Sequence, residues 1–184
     1  MNLQKLTTKK LALASVLGAM AAASEAIRGP PFDIPFPLLP GIVSWDLTGI
    51  PILISLLLNG TLGGVYTSII GCSIIFLRGN LAGGIFKLVA ELATILAFAA
   101  IRKGIITKTI VAVLSRVLVM TATNFFLLPI FYPASYSSEV ATVGILFPLS
   151  VFNVVQALLN IIPAYIIYSK LPSRWRLATT ESAA

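Results

Sequence analysis

The segment from Leu47 to Leu77 contains no charged residue over 31 consecutive positions, and it constrains the fold more than any other feature. As one helix rising about 1.5 Å per residue it would be roughly 46 Å long. The hydrocarbon core of a bilayer is only about 30 Å thick. Near the middle of the segment lies Asn59-Gly60, a dipeptide typical of turns. The segment therefore forms either one over-long membrane span or two short ones.

The basic residues decide between these two alternatives. Three clusters flank the apolar blocks along the chain: Lys5, Lys9 and Lys10; Arg102, Lys103 and Lys108; Lys170, Arg174 and Arg176. The positive-inside rule places all three clusters on the cytoplasmic side, which requires the uncharged segment to cross twice. The sequence thus predicts an all-α integral membrane protein, a bundle of six transmembrane helices with both termini cytoplasmic.

The composition leaves room for one domain. The chain of 184 residues is 58% hydrophobic and 10% charged, whereas soluble domains are about 25% charged. A single membrane domain, 1–184, is predicted, as a multi-pass protein of the cell membrane with a short cytoplasmic tail, 173–184. The expected helices are 11–27, 47–58, 61–77, 81–101, 109–130 and 143–169. The net charge of +7 is explained by basic residues at helix ends, without a nucleic-acid partner.

Several classes of protein are excluded by what the sequence lacks. It contains no histidine, which argues against Ser–His proteases, haem-binding bundles and most transition-metal transporters. Its six acidic residues are scattered, so no paired acidic motif for Mg²⁺ is present. It has no Walker A motif and therefore does not hydrolyse ATP itself. We expect no catalytic residues, no metal site and no resident cofactor.

The first helix is rich in small residues, which lie in two neighbouring stripes. One stripe contains Ala14, Gly18 and Ala22, and the other contains Ser15, Ala19 and Ala23. Small residues let helices approach closely in lipid, where packing drives association. The stripes serve either packing within the protein's own bundle or docking onto a separate membrane partner.

The first outer loop, Arg28 to Asp46, is rigid and aromatic. It contains five of the eleven prolines, together with Phe32, Phe36 and Trp45. Proline favours extended backbone. Such a loop is either a lid over a ligand or a segment packed on the end of the bundle with its aromatics at the interface.

Ionisable side chains lie within two of the predicted spans. Lys87 and Glu91 are four residues apart and share a helix face. They either neutralise each other or, for Lys87 near the outer end, contact a ligand. Arg116 either snorkels to the cytoplasmic interface or pairs with Glu91.

Amide side chains gather toward the outer ends of the last helices. They are Asn124 on the fifth helix and Asn153 and Gln156 on one face of the sixth, with Asn160 one turn further along. These amides either hydrogen-bond between helices or line a pocket. An apolar pocket with a few convergent amides suits a small aromatic or heterocyclic ligand.

Three short motifs occur in order along the chain. An Asp-x-x-x-Ile-Pro entry to the second helix runs from Asp46 to Pro51. An Asn-aromatic-aromatic stretch ending in proline runs from Asn124 to Pro129. Phe152-Asn153 is followed three positions later by Gln156. With these motifs the chain resembles the substrate-binding S components of energy-coupling factor (ECF) vitamin transporters, and most of all the riboflavin-specific members. The resemblance covers roughly residues 7–171, with the six helices, the small-residue face and the long loop.

The resemblance implies a function. Such a protein binds one vitamin on the outside, here riboflavin or a related flavin, and delivers it with a transmembrane scaffold subunit and two ABC ATPases. The implied substrate-binding residues are Asn124, Asn153, Gln156, Lys87, Phe36, Leu39 and Trp45. The implied docking face comprises Ala14, Gly18, Ala22, Ser15, Ala19 and Ala23.

The chain also departs from the riboflavin members, which tend to have a lysine at the position of Gln156 and an asparagine near Lys87. Exchanging an amide for an ammonium changes the number of donors and acceptors, so another vitamin or heterocycle is a second interpretation. A self-sufficient small membrane transporter is a third; it would need a polar path through both halves or internal repeats. A membrane-embedded enzyme would need a nucleophile–base pair, a metal cluster or paired acids.

Overall fold

The computed structural model describes residues 7–27 and 29–172. Seven helices and two short strands occur in this range: α1 (Thr8–Ala26), β1 (Asp33–Pro35), β2 (Ser44–Asp46), α2 (Gly49–Asn59), α3 (Thr61–Leu77), α4 (Leu81–Ala100), α5 (Ile105–Phe131), α6 (Pro133–Tyr136) and α7 (Glu139–Lys170). The predicted tail, 173–184, and the basic residues Lys5, Arg174 and Arg176 lie outside the described residues.

The uncharged run forms two helices, with the break at Gly60. This glycine has a φ of 79°, a left-handed conformation that only glycine adopts at little cost. Its N–H still donates to the carbonyl of Leu56, which closes the last turn of α2. The break therefore lies at the Asn-Gly turn dipeptide of the sequence.

Three helices are long and apolar enough to cross a membrane: α4, α5 and α7, with mean hydropathies of 1.8, 1.9 and 2.0. The helices α2 and α3 are apolar but shorter. In the part of the chain that the structure describes, the length and composition of these helices are typical of a helical membrane protein.

Connections between successive helices bring like charges to one end of the bundle. The starts of α1, α3 and α5 and the ends of α2, α4 and α7 lie together there. We call it the basic end, because its charged residues in the described part of the chain are Lys9, Lys10, Arg102, Lys103, Lys108 and Lys170. The opposite end, which includes β1 and β2, is called the loop end.

The strands β1 and β2 form an antiparallel hairpin that was not predicted from the sequence. The register pairs Asp33 with Asp46 and Ile34 with Trp45. Strands of three residues are too short to show the alternation of polar and apolar residues that identifies a strand. The outer loop is therefore a defined ribbon across the loop end of the bundle.

A close helix contact joins α2 to α7 below this hairpin. Gly49 opens α2, and a Cβ atom at this position would overlap the side chain of Asn160 on α7. Asn160 is fully buried. The glycine thus makes room for a polar side chain inside the bundle, where a methyl group would displace it.

Candidate functional site

Lys87 lies between two carboxylates at the loop end. Its ammonium donates a hydrogen bond to the Asp46 carboxylate of β2 and lies 3.7 Å from Oε2 of Glu25 on α1. The two partners differ from the Glu91 pairing that the i,i+4 spacing suggested. The loop brings a carboxylate onto the ammonium more closely than a neighbour on the same helix does. Lys87 is therefore the counterion of the hairpin.

Asp46 fastens the hairpin to the bundle through its backbone as well. The Gln156 amide donates from Nε2 to the carbonyl of Asp46 at 2.8 Å and accepts from its N–H at 3.2 Å. A carboxylate oxygen of Asp46 accepts from the N–H of Thr48 at 2.9 Å, and the Thr48 hydroxyl donates to Glu25 at 3.0 Å. Together with Lys87, these contacts form what we call the Asp46 latch.

Charge sets the ionisation of Asp46. Burial raises the pKa of its carboxyl, but the adjacent Lys87 ammonium and the hydrogen bonds from Lys87 and Thr48 outweigh burial and hold the pKa below its usual range. The latch is therefore charged at neutral pH.

The aromatic residues of the hairpin face α7. Phe36 is 3% exposed, and its ring centroid lies 5.2 Å from that of Trp45 and 5.6 Å from that of Phe152. The indole Nε1 of Trp45 is buried and has no hydrogen-bond partner among the described residues. Buried indole N–H groups usually have one, so this donor is available to an acceptor that enters the site. Leu39 packs elsewhere, against the cluster of Leu128, Ile145 and Leu149.

Arg116 is buried in the middle of the bundle, at 1% exposure. Its Nη1 donates to Oε1 of Glu91 at 3.0 Å and to the Thr94 hydroxyl at 3.2 Å. Its Nε donates to Oδ1 of Asn153 at 3.1 Å. The side chain therefore pairs with Glu91 and does not snorkel, and it occupies the amide oxygen of Asn153. The Nδ2 of Asn153 donates one of its two hydrogens to the carbonyl of Leu149 at 2.8 Å.

Asn160 connects the latch to this ion pair. Its Oδ1 accepts from Nε2 of Gln156 at 3.1 Å, and its Nδ2 donates to Oε1 of Glu91 at 3.4 Å. We call the resulting series the polar chain: Asp46, Gln156, Asn160, Glu91, Arg116 and Asn153. Oε2 of Glu91 is buried and has no partner among the described residues.

Asn124 stands apart from the polar chain. It lies two helical turns beyond Arg116 on the same buried face of α5, and it is 5% exposed. Its side chain makes no hydrogen bond to any described residue, unlike those of Asn153, Gln156 and Lys87. Of the polar residues predicted to bind substrate, it is the one whose amide is not already engaged.

A cavity of about 450 Å³ lies nearby at the loop end, between the end of α5 and the start of α7. It is lined by Phe125, Phe126, Pro129, Tyr136, Ser137, Ser138, Glu139 and Thr142. None of the predicted substrate-binding residues lines it. Asp46 of β2 bonds to both Lys87 and Gln156. The hairpin thus contacts Lys87 and Gln156, two residues that the sequence analysis predicted to bind substrate.

The predicted docking stripes of α1 are divided between the inside and the outside of the bundle. Ala14 is fully buried, and a Cβ at Gly18 would lie 2.8 Å from Cβ of Ile70 on α3. These two residues thus pack within the protein's own bundle. Ala22 and Ser15 are half-buried, whereas Ala19 and Ala23 are exposed. Of the six residues in the two stripes, only Ala19 and Ala23 are therefore exposed.

Sequence reasoning did not predict the roles of Glu25 and Asp46. Each is a lone carboxylate beside a long apolar segment, and such a group needs a cation or several donors. A search for the counterions of these two residues would have led to Lys87, which was assigned to Glu91 or to a ligand instead.

Comparisons with known proteins find similarity among solved structures. No family model and no curated protein matches the sequence. Among solved structures, the S component of a bacterial ECF transporter is similar, with a TM-score of 0.76 and 23% sequence identity. The match covers 88% of this chain and 94% of that chain. At this identity the likeness shows a shared fold.

Proposed function

We propose that this protein is the substrate-binding S component of an ECF importer. It crosses the cell membrane six times with both termini cytoplasmic, and it binds a vitamin, riboflavin or a related flavin, at the loop end. It is a transport subunit and not an enzyme. The shared fold with an S component supports this function, as do the aromatic hairpin and the polar residues below it.

The observation that carries the proposal is the way Gln156 recognises Asp46. The amide of Gln156 donates to a carbonyl and accepts from an N–H of the same residue. A flavin presents the same pair of groups, because its pyrimidine ring carries an N–H next to a carbonyl. Phe152 lies one turn before Gln156 on α7, and its ring packs against Phe36 of the hairpin. Displacement of the hairpin, which carries Phe36 and Trp45, would thus expose the Gln156 amide and the Phe152 ring, which suit a planar heterocycle.

Energy for uptake must come from partner subunits in this proposal. The sequence has no Walker A motif, so the proposed partners are a transmembrane scaffold subunit and two ABC ATPases. The exposed residues Ala19 and Ala23 of α1 are the proposed contact with the scaffold.

An absorption spectrum of the protein purified in detergent tests the proposed ligand. A flavin spectrum with about one equivalent released on heating would support the proposal. A colourless protein that also fails to quench the fluorescence of added riboflavin would rule out a flavin as the ligand. A thermal-shift screen of other vitamins would then test whether another vitamin or heterocycle binds. Uptake by the protein alone in liposomes would instead support a self-sufficient transporter.

We expect Asn124→Ala to weaken riboflavin binding by about three- to tenfold, the worth of one hydrogen bond, and to leave thermal stability unchanged. Asn124 makes no hydrogen bond that the substitution would break within the described residues. Fluorescence quenching measures the affinity. Thr123→Ala is the matched control, because this neighbour is half-buried and bonds only to its own helix, at the carbonyl of Val119. Equal affinities for wild type and Asn124→Ala would remove Asn124 from the site.

We expect Ala19→Trp to reduce uptake by the complete transporter several-fold without changing ligand affinity. A tryptophan on the exposed stripe of α1 holds a partner helix away, since close approach needs small residues. Leu118→Trp is the control, because Leu118 is 70% exposed on α5. Uptake in cells that also express the scaffold and ATPases is the measurement. Normal uptake by Ala19→Trp would exclude this stripe as the docking surface.

A further inference from the structure

A second cavity, of about 430 Å³, opens at the basic end of the bundle. Its floor is apolar and includes the buried side chains of Leu56 and Phe98. Its rim is polar: Lys103, Lys108, Tyr165 and Tyr168. The volume is within the usual range of small-ligand sites, about 300–1,000 Å³. The cavity is at the opposite end of the bundle from the hairpin, so the proposed vitamin site does not account for it.

The cavity is positively charged. No carboxylate of the described residues lies within 4.0 Å of the ammonium groups of Lys103 or Lys108. Among the residues that the structure describes, the basic residues in ion pairs are Lys87 and Arg116. Glu25, Asp33, Asp46 and Glu139 are all at the loop end. Nζ of Lys108 lies 5.4 Å from the centroid of the Phe98 ring, which holds one ammonium over the apolar floor. Both lysines can therefore contact an anion in this cavity.

We propose that this cavity binds the phosphate group of an anionic phospholipid. The ammonium groups of Lys103 and Lys108 contact the phosphate, and the hydroxyls of Tyr165 and Tyr168 donate hydrogen bonds to it. The first part of an acyl chain lies on Leu56 and Phe98. A free inorganic phosphate would leave this apolar floor unused, and basic pockets between transmembrane helices on the cytoplasmic side suit lipid headgroups.

Native mass spectrometry of the protein in a neutral detergent tests the site, with dioleoylphosphatidylglycerol and dioleoylphosphatidylcholine as probes. We expect one phosphatidylglycerol to be retained in preference to phosphatidylcholine. In Lys103→Gln/Lys108→Gln the apparent affinity for phosphatidylglycerol falls by about 30-fold, because each lysine contributes about 1 kcal/mol. Tyr168→Phe, which removes only a hydroxyl, lowers it by about threefold.

The matched control is Lys10→Gln/Lys170→Gln, which removes two charges from the basic end at residues that do not line the cavity. It keeps the wild-type affinity. An equal loss of affinity for phosphatidylglycerol in the two double variants would show that the lipid is attracted to the whole charged surface, and it would overturn the proposed site. Equal retention of the two lipids would do the same. Inorganic phosphate is added in a separate arm. If phosphate at the lipid's concentration displaces the phosphatidylglycerol, the lipid assignment is wrong and the ligand is the free anion.

Discussion

Arg116→Met is expected to lower the free energy of unfolding by about 3–5 kcal/mol, the usual cost of removing one partner of a buried ion pair. Glu91 would be left fully buried without its cation and with one hydrogen bond, from Asn160, at 3.4 Å. Asn153 and Thr94 would each lose a donor as well. Thermal unfolding in detergent measures the effect, and the midpoint should fall by about 10 °C.

The control is the double variant Glu91→Leu/Arg116→Met. Replacing both charges by apolar side chains leaves no unpaired charge, so the double variant should be more stable than Arg116→Met alone. The coupling between the two positions should exceed about 1 kcal/mol, as expected for residues in direct contact. Additive effects of the two single substitutions would contradict the role of Arg116 as the counterion of Glu91.

Lys87→Met is expected to release the hairpin and to speed hydrogen exchange of its backbone amides by about 100-fold. The substitution leaves the carboxylates of Asp46 and Glu25 near one another without their shared cation, at a cost of about 3 kcal/mol. Because that cost falls on β1 and β2, local opening of residues 33–46 should precede unfolding of the bundle. Hydrogen exchange followed by mass spectrometry measures it segment by segment.

Glu25→Gln is the control for Lys87→Met, since Glu25 lies at 3.7 Å from Lys87 and does not belong to the hairpin. It should change hydrogen exchange in residues 33–46 only slightly.

The lowered pKa of Asp46 makes the stability of the hairpin depend on pH. The latch stabilises the hairpin above the ordinary pKa of an aspartate, about 3.9, and weakens as pH falls through the lower folded-state value. The protection of the hairpin amides from hydrogen exchange should thus stay constant from about pH 5 to about pH 8. Unchanged exchange in Lys87→Met would show that the backbone bonds to Gln156 suffice.

The all-helical fold could be predicted because its evidence is local. Asn59-Gly60 marks the turn in the uncharged run, and apolar length identifies α4, α5 and α7. The structure places helix starts at 105 and 139, four residues before the predicted ones. The hairpin could not be predicted, since each strand has three residues.

The hydrogen-bond and ion-pair partners of the polar residues could be predicted only for charged residues at the same depth in the bundle. Arg116 and Glu91 pair because two charges at the same depth in an apolar bundle have few other partners. Lys87 has its partner 41 residues away in the loop, a distance over which sequence spacing says nothing. The contact of Gln156 spans 110 residues. Burial was equally hard to predict. The small residues on both stripes of α1 look alike in the sequence, yet Ala14 and Gly18 are buried against α3 whereas Ala19 and Ala23 are exposed.

The contact between Gly49 and Asn160 restricts how this protein can vary in evolution. A methyl group at position 49 would take the space of the Asn160 amide, which supports both Gln156 and Glu91. An alanine at 49 is therefore compatible only with a smaller residue at 160, and the carboxylate of Glu91 then needs a new donor. Homologues should keep Gly49 and Asn160 together or replace both at once. Covariation of these two positions, one on α2 and one on α7, would mark the proteins that keep this polar chain.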